Sequence, residues 1–412
     1  MKLDALQSPR YRRFWLGSVA SVGATQLYFV GMAWLVFELS GSALNLGLLG
    51  VAIAIPTIFA TLAGGSLADR TDRRQMLLVT SALAAVALAV LALLIIITGG
   101  WVRIADAGES CPDWPACFGG WQFDVPPGEQ QAWWAAPPGE ADRRWQDNPE
   151  FAYSSNQIFT EWLHRLLVGI IALPVLWSHY AVWQRRAALP GVAEAHMHVT
   201  VLLAIQAAAG AITVGFDNAP WSVALHLLLA VAFVTALFRI ALMARLAEGP
   251  LPERFHISQK AAAQQARPIA GLSLAALALL LVGAWLATGY HRGACGGGWE
   301  AWPLCEGTLL PGLGLGVIAQ MLHRFLAVGV GAALFWGGQW MRNNGGRSVV
   351  TRLVDGALGA FILNLFVGGF YLVMASGSDY PGWLSLLHLL LGVVTFLHLA
   401  AAWLLCTEPL RD

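Results

Sequence analysis

The sequence predicts an all-α integral membrane protein of about ten transmembrane helices, arranged as two pseudo-repeated four-helix bundles preceded by two extra helices. Three observations predict it. Of 412 residues, 57% are hydrophobic and 12% charged, and the mean hydropathy is positive, a membrane composition and not that of a soluble globule. Apolar runs of about 20 residues, each long enough to cross a bilayer as a helix, recur along the chain. From residue 76 onward the order of runs, loops, cysteines and histidines occurs twice.

The first two runs, near 14–37 and 44–66, precede the duplicated part. The run from Phe14 to Val36 is too long for the core of a cleavable signal and has no small-residue cleavage site after it, so it reads as a spanning helix. The next four lie near 76–98, 158–182, 198–216 and 220–243, and the last four near 268–289, 314–340, 352–375 and 382–406. The expected divisions are residues 1–75, a first four-helix unit over 76–245 and a second over 246–412. Basic residues set the orientation. Lys2, Arg70, Arg74, Arg186, Arg254 and Arg347, with most of the others, fall on one side, and only Arg103, Arg143, Arg144 and Arg292 lie in loops on the other. The positive-inside rule then makes both termini cytoplasmic, in a multi-pass protein of the cell membrane, with loops 99–157 and 290–313 outside. A formal net charge of zero gives no electrostatic case for nucleic acid, so the partner expected on composition is membrane lipid.

Both outer loops carry a close pair of cysteines, Cys111 with Cys117 and Cys295 with Cys305. An outside location is oxidising, which suits two disulfides, each closing a small loop. Free or metal-binding thiols are the alternative, though a zinc site wants four converging ligands.

Each unit repeats a histidine pair. EWLHR contains His164 and QMLHR contains His323, 159 residues later; WSVALHLLLA contains His226 and WLSLLHLLLG contains His388, 162 residues later. All four sit roughly two turns inside the outer ends of their helices. A four-helix bundle turns the two histidines of its second and fourth helices toward one interior, and imidazoles on opposite faces of a planar macrocycle make a six-coordinate haem. A lone intramembrane histidine more often bonds a neighbouring helix, but four at repeat-related positions favour ligation. His179, His196, His198, His256, His291 and His398 have no such relation and read as interface, loop or packing residues.

Arg165 and Arg324 follow the first histidine of each pair and lie near the outer interface, where they can pair with haem propionates or simply anchor the helix. Glu161 precedes His164 by three residues, on the same helical face. Its counterpart is Gln320. A carboxylate can move protons and an amide cannot, which points to chemistry in the first unit and a redox partner in the second; a solvated interfacial carboxylate is the alternative.

The stretches GGWVRIADAGESCPDWPACFG (99–119), EWLHR (161–165), QAAAGAITV (206–214) and MLHR (321–324), with the two later histidine helices, resemble the haem A synthase family over about residues 80 to 406. The resemblance implies an eight-helix membrane enzyme, an oxidoreductase that converts the C8 methyl of haem O to a formyl group, giving haem A for terminal oxidases. Carried over, His164 and His226 flank the substrate haem, His323 and His388 ligate haem b, and Glu161 is the acidic residue needed for turnover; Cys111 and Cys117 match the family's outer pair. The partners implied are haem O, haem A, the enzyme that makes haem O, and an electron donor that the sequence does not identify. The chain departs from the family in an insertion around GEQQAWWAAPPGEADRRW (128–145), in a wide second cysteine loop, and in residues 1 to about 90, where SPRYRRFWLGSVAS and GGSLADRTDRRQMLL resemble the opening of a major facilitator transporter. With only three such helices, that portion reads as an appendage and not a carrier.

A bis-histidine electron-transfer cytochrome explains the four histidines equally well, but neither the single carboxylate nor the family resemblance.

Overall fold

The computed structural model describes residues 73–135, 143–247, 249–255, 257–288, 291–309, 312–376 and 379–408, with scattered positions between 8 and 58. The spans expected near 14–37 and 44–66 lie largely outside the described residues. The chain divides into two compact units, Met1–Ala84 and Ala85–Asp412.

Among the described residues eight long helices follow one another: α1 (Arg73–Ile104), α2 (Ser155–Trp183), α3 (Pro190–Gly215), α4 (Pro220–Ala247), α5 (Gln259–Thr288), α6 (Leu315–Gly345), α7 (Val349–Val373) and α8 (Gly382–Thr407). Helices α2 to α8 are long and apolar enough to cross a membrane, and α1 contributes a shorter apolar stretch, Val90–Ile104. The protein is therefore an all-α, multi-pass membrane protein. Among the described residues there is no β-strand, only isolated bridges.

Local signals set the helix ends. Ser154 and Gln157 form a capping box at the start of α2, and Ser348 and Thr351 form one at the start of α7, each satisfying amide groups that the first turn leaves open. Pro190 opens α3, where its fixed φ suits the first turn and its missing N–H costs nothing. Between α3 and α4 the chain reverses through Asp217 and Asn218, both left-handed (φ 49° and 50°), a conformation that short polar side chains tolerate.

Two cores hold the helices. The first lies inside the second half of the chain, where Ile269 of α5, Leu334 and Met341 of α6, Val354 of α7 and Leu399 of α8 are fully buried against one another. The second joins the halves: Ala92 and Ile96 of α1, Ile171 of α2, Val199 of α3 and Val231 of α4 pack with Leu280 of α5 and Val393 of α8. Helix α4 packs against both α5 and α8, so the halves abut along a broad seam. In lipid this packing, and not expulsion of water, is the main attraction between helices. Near the end of the seam Arg239 of α4 bonds Glu408 (2.9 Å) and Glu194 of α3 (3.1 Å), neutralising a cation within an apolar helix.

Replacing Leu334 by alanine removes buried atoms that its neighbours cannot collapse to cover. The expected cost is roughly 2–5 kcal/mol, read as a lowered midpoint of thermal unfolding in detergent, whereas Leu313→Ala at an exposed loop position leaves the midpoint unchanged.

Candidate functional site

The site begins with two loops built alike. Cys111 is bonded to Cys117 and Cys295 to Cys305. Each loop turns back through a left-handed pair, Phe118–Gly119 (φ 51° and 76°) and Glu306–Gly307 (φ 50° and 74°), closed by reciprocal backbone bonds between Cys117 and Gly120 and between Cys305 and Thr308. The insertion after the first loop folds into two short helices, Pro127–Ala135 and Arg143–Asp147. Its buried Gln130 donates to the carbonyls of Val125 (2.8 Å) and Tyr153 (3.0 Å) and accepts from the Tyr153 amide (2.9 Å), which satisfies the side chain and closes the insertion over Trp134. Arg144 reaches back to both carboxylate oxygens of Asp106.

Helices α2 and α6 bind these loops with the residues flanking their histidines. Glu161 is buried; its Oε2 accepts from Ser110 Oγ (3.0 Å) and the Cys111 amide (2.9 Å), and its Oε1 accepts from Arg165 (2.5 Å). Arg165 also donates to the carbonyls of Cys111, Asp113 and Ala116. In the second half Gln320 donates to the carbonyls of His291 and Arg292, both at 3.0 Å, and Arg324 to those of Pro303 and Leu304. The two arginines thus clasp the cysteine loops, and Glu161 and Gln320 latch the chain entering them. The structure does not leave Glu161 as a solvated carboxylate.

The four histidines meet in pairs, as the repeat suggests. The rings of His164 and His226 have centroids 6.5 Å apart, and those of His323 and His388 6.4 Å. With metal–nitrogen bonds of about 2 Å and a ring radius of about 1.1 Å, two imidazoles on opposite sides of one metal would have centroids about 6.3 Å apart. Both pairs fit that requirement. Each ring lies against a glycine of a neighbouring helix: His164 on Gly99 of α1, His226 on Gly210 of α3, His323 on Gly283 of α5 and His388 on Gly368 of α7, where a Cβ would fall 2.6 to 3.3 Å from the ring.

Second contacts hold three of the rings. His388 Nδ1 lies 3.1 Å from the Asn364 backbone carbonyl, with the Asn364 side-chain amide beside the same nitrogen. His164 Nδ1 lies 3.2 Å from Thr98 Oγ1, whose own proton is directed at the carbonyls of Leu94 and Ile95. Gln206 Nε2 donates to His226 Nε2 at 3.3 Å. A basic Nε2 is what metal ligation needs.

One cavity of about 830 Å³ is lined by all four histidines, with Glu161, Gln320 and four arginines, Arg103, Arg165, Arg292 and Arg324. Several polar atoms around it are buried without a hydrogen-bond partner: Nδ1 of His226 and of His323, Oε1 of Gln206, Nε of Arg103 and Nη2 of Arg324. Among the described residues no three His, Cys, Asp or Glu side chains gather as a metal site. The two imidazole pairs would suit a metal-bearing macrocycle, and the unpartnered Nε of Arg103 and Nη2 of Arg324 would suit carboxylates on its edge. Sequence reading did not assign Thr98, Gln206, Asn364, Arg103, Arg292 or the four glycines to the site; a glycine at matching positions in the two halves was the available signal. None of His179, His196, His198, His291 and His398 lines the cavity, and His256 lies outside the described residues.

Fold and site together define a multi-pass helical membrane protein with two repeat-related histidine pairs around one cavity. The chain belongs to the cytochrome oxidase assembly protein family, whose model matches residues 82–400. Residues 2–104 match a second family, described as transmembrane secretion effector. Curated relatives include the heme A synthase of Shewanella oneidensis, 27% identical over 228 residues (55% of this chain and 61% of that protein), and the heme A synthase of Novosphingobium aromaticivorans, 28% identical over 242 residues (53% and 63%). The chain thus spans about three-fifths of the length of these relatives.

Cys111→Ser and Cys117→Ser are expected to behave alike, because either opens the same small loop beneath Arg165 and Glu161. The check is the thermal midpoint and the protease sensitivity of the first loop in each variant; a clear difference between them would mark one cysteine as a reactive thiol.

Proposed function

We propose that this protein oxidises the C8 methyl of haem O to a formyl group, yielding haem A. In this reading His164 and His226 flank the substrate haem, while His323 and His388 hold haem b, which supplies electron transfer when bound. The observation that carries it is the presence, in one cavity, of two imidazole pairs whose spacing suits a six-coordinate metal, only one of them beside a carboxylate. The names of the curated relatives support the same activity.

The chain's own part is orientation and proton handling. The glycine beds hold the four rings at their ligating distance. Thr98 bonds Nδ1 of His164 and Asn364 bonds Nδ1 of His388, which orients both rings with Nε2 away from those contacts. Arg103, Arg292 and Arg324 offer cations to the propionate edge of each macrocycle. Arg165 is fully occupied by loop carbonyls and Glu161, so its role is to hold the first loop over the substrate. Turning a methyl into a formyl group is a four-electron oxidation that adds one oxygen and releases protons, which requires dioxygen or a like oxidant from outside the chain; Glu161, lining the cavity beside Arg165 and Ser110, is the group placed to take up protons. The charge pattern supports a cell-membrane protein with both termini cytoplasmic and both histidine pairs toward the outer side. The electron donor and the enzyme supplying haem O are the remaining partners of this reading, with residues 76–245 as the substrate unit, 246–412 as the haem b unit and 1–75 as a separate N-terminal portion.

One observation favours a second reading, a membrane cytochrome that only transfers electrons: both oxygens of Glu161 are already engaged in holding the first loop. Chromatography of extracted haems separates the two. Purified protein supplied with haem O, reductant and dioxygen is expected to accumulate haem A; two haems recovered unchanged would sink the synthase reading. Glu161→Gln is expected to bind haem in normal amount and to form at least about a hundredfold less product, without the first disulfide becoming more sensitive to reductant. Normal product, or a lost disulfide with normal product from whatever protein stays folded, would make Glu161 a latch alone.

A further inference from the structure

The two halves differ at the rims of their sites. In the second, Trp302 lies against Gly369 of α7, so close that a Cβ there would fall 2.6 Å from the indole. That loop is also stitched to α7: the Gly298 amide donates to the Leu372 carbonyl (3.0 Å), and Gly297 closes on the Ala375 carbonyl, where a Cβ would fall at 2.7 Å. In the first half the matching tryptophan is Trp114, three residues before Cys117 as Trp302 is before Cys305. Trp114 lines the cavity but is 49% exposed, beside Trp121 at 57%. The position matching Gly369, one residue after the histidine-bearing glycine, is Ala211. An alanine at that position carries the methyl group that Gly369 lacks. The first loop is fastened to α2 by Arg165 and to the α3–α4 turn by Asn218, which donates to Glu109 (3.0 Å).

From this difference we propose that Trp114 forms a movable rim through which a tetrapyrrole enters and leaves the His164–His226 site, while Trp302, seated on Gly369, seals the His323–His388 site around a resident group. The residue at 211 or 369 decides which: glycine admits the indole and closes the site, alanine keeps the indole out and leaves the site open. The ligand class is a flat, largely apolar macrocycle with carboxylates on one edge. Trp114 and Trp121 offer their exposed rings as the surface it slides along. This rests on the proposed function in naming which pocket must exchange, since an enzyme that modifies a haem must release one and retain the other. It goes further in assigning the two behaviours to particular side chains.

The experiment loads full-length protein in detergent with haem b in both sites and adds excess apomyoglobin, following haem transfer by absorbance. Two phases of release are expected, the faster missing in His226→Ala. Gly369→Ala should speed the slow phase about tenfold and Ala211→Gly should slow the fast phase about tenfold, each acting through release and not through the ligands. Trp302→Ala, which removes the seal without crowding α7, should reproduce the Gly369→Ala acceleration and guards against a variant that merely packs badly. A single release phase, a fast phase that survives His226→Ala, or phases unmoved by both the 211 and the 369 substitutions would overturn the proposal. Because the assay uses haem b and no turnover, two normal phases in a protein that makes no haem A would sink the synthase reading alone, and one phase in a protein that makes haem A would sink this inference alone.

Discussion

A β-carbon at Gly99, Gly210, Gly283 or Gly368 would fall 2.6 to 3.3 Å from an imidazole atom, and the absence of those four carbons sets the geometry of everything around the cavity. Glycine in a helix interior costs backbone entropy and roughly 1 kcal/mol of propensity against alanine. In a membrane helix that cost is returned by close approach of neighbours. Here the neighbour is an imidazole ring that lines the cavity. With the rings seated on glycine, the pairs stand 6.4 and 6.5 Å apart, and helices α1, α3, α5 and α7, which carry none of the four histidines, become as necessary to the cavity as the four that do.

The latch residues follow the same duplicated plan with the hydrogen-bond polarity reversed. Glu161 meets donors, the Ser110 hydroxyl, the Cys111 amide and Arg165; Gln320 meets acceptors, the carbonyls of His291 and Arg292. A carboxylate offers two acceptors and an amide one acceptor and one donor, so Glu161 suits its set of donors and Gln320 its pair of carbonyls. The asymmetry between the halves therefore has a structural cause as well as a chemical consequence. A carboxylate chosen to hold the first loop is also the one ionisable acceptor that the cavity offers beside a histidine pair.

Much of this was legible in the sequence, and the limit has a physical basis. Hydropathy runs located the long helices because a bilayer demands about 20 apolar residues, and repeat spacing singled out His164, His226, His323 and His388 among ten histidines. What stayed hidden were contacts between distant elements. Arg165 and Arg324, next to the histidines, suggested propionate partners, yet Arg165 is spent on carbonyls of the first loop and Arg324 divides between loop and cavity. Arg103, which reads as a loop cation, ends α1 inside the cavity and donates to the Ala287 carbonyl of α5. Composition and periodicity report which face a residue occupies, whereas these roles depend on where a loop of some fifty residues returns. Arg239 shows the same limit: it lies within an apolar run, and its partners are Glu194 of α3 and the buried Glu408 at the end of α8.

The N-terminal portion meets the family fold inside a helix and not in a linker. The two family matches share residues 82–104, and α1 runs from Arg73 to Ile104. A joint at that point is chemically permissive because of how α1 is used. Among its described side chains, those near its C-terminal end meet the site: Thr98 bonds His164, Gly99 seats the ring, and Arg103 lines the cavity. From Leu88 to Ile96 its core contacts are made by small and branched apolar side chains such as Ala92 and Ile96, a requirement that many apolar sequences meet. Helix α2 is used differently: Glu161, His164 and Arg165 place the latch, the paired ring and the clasp within five residues, which leaves little of that stretch open to change.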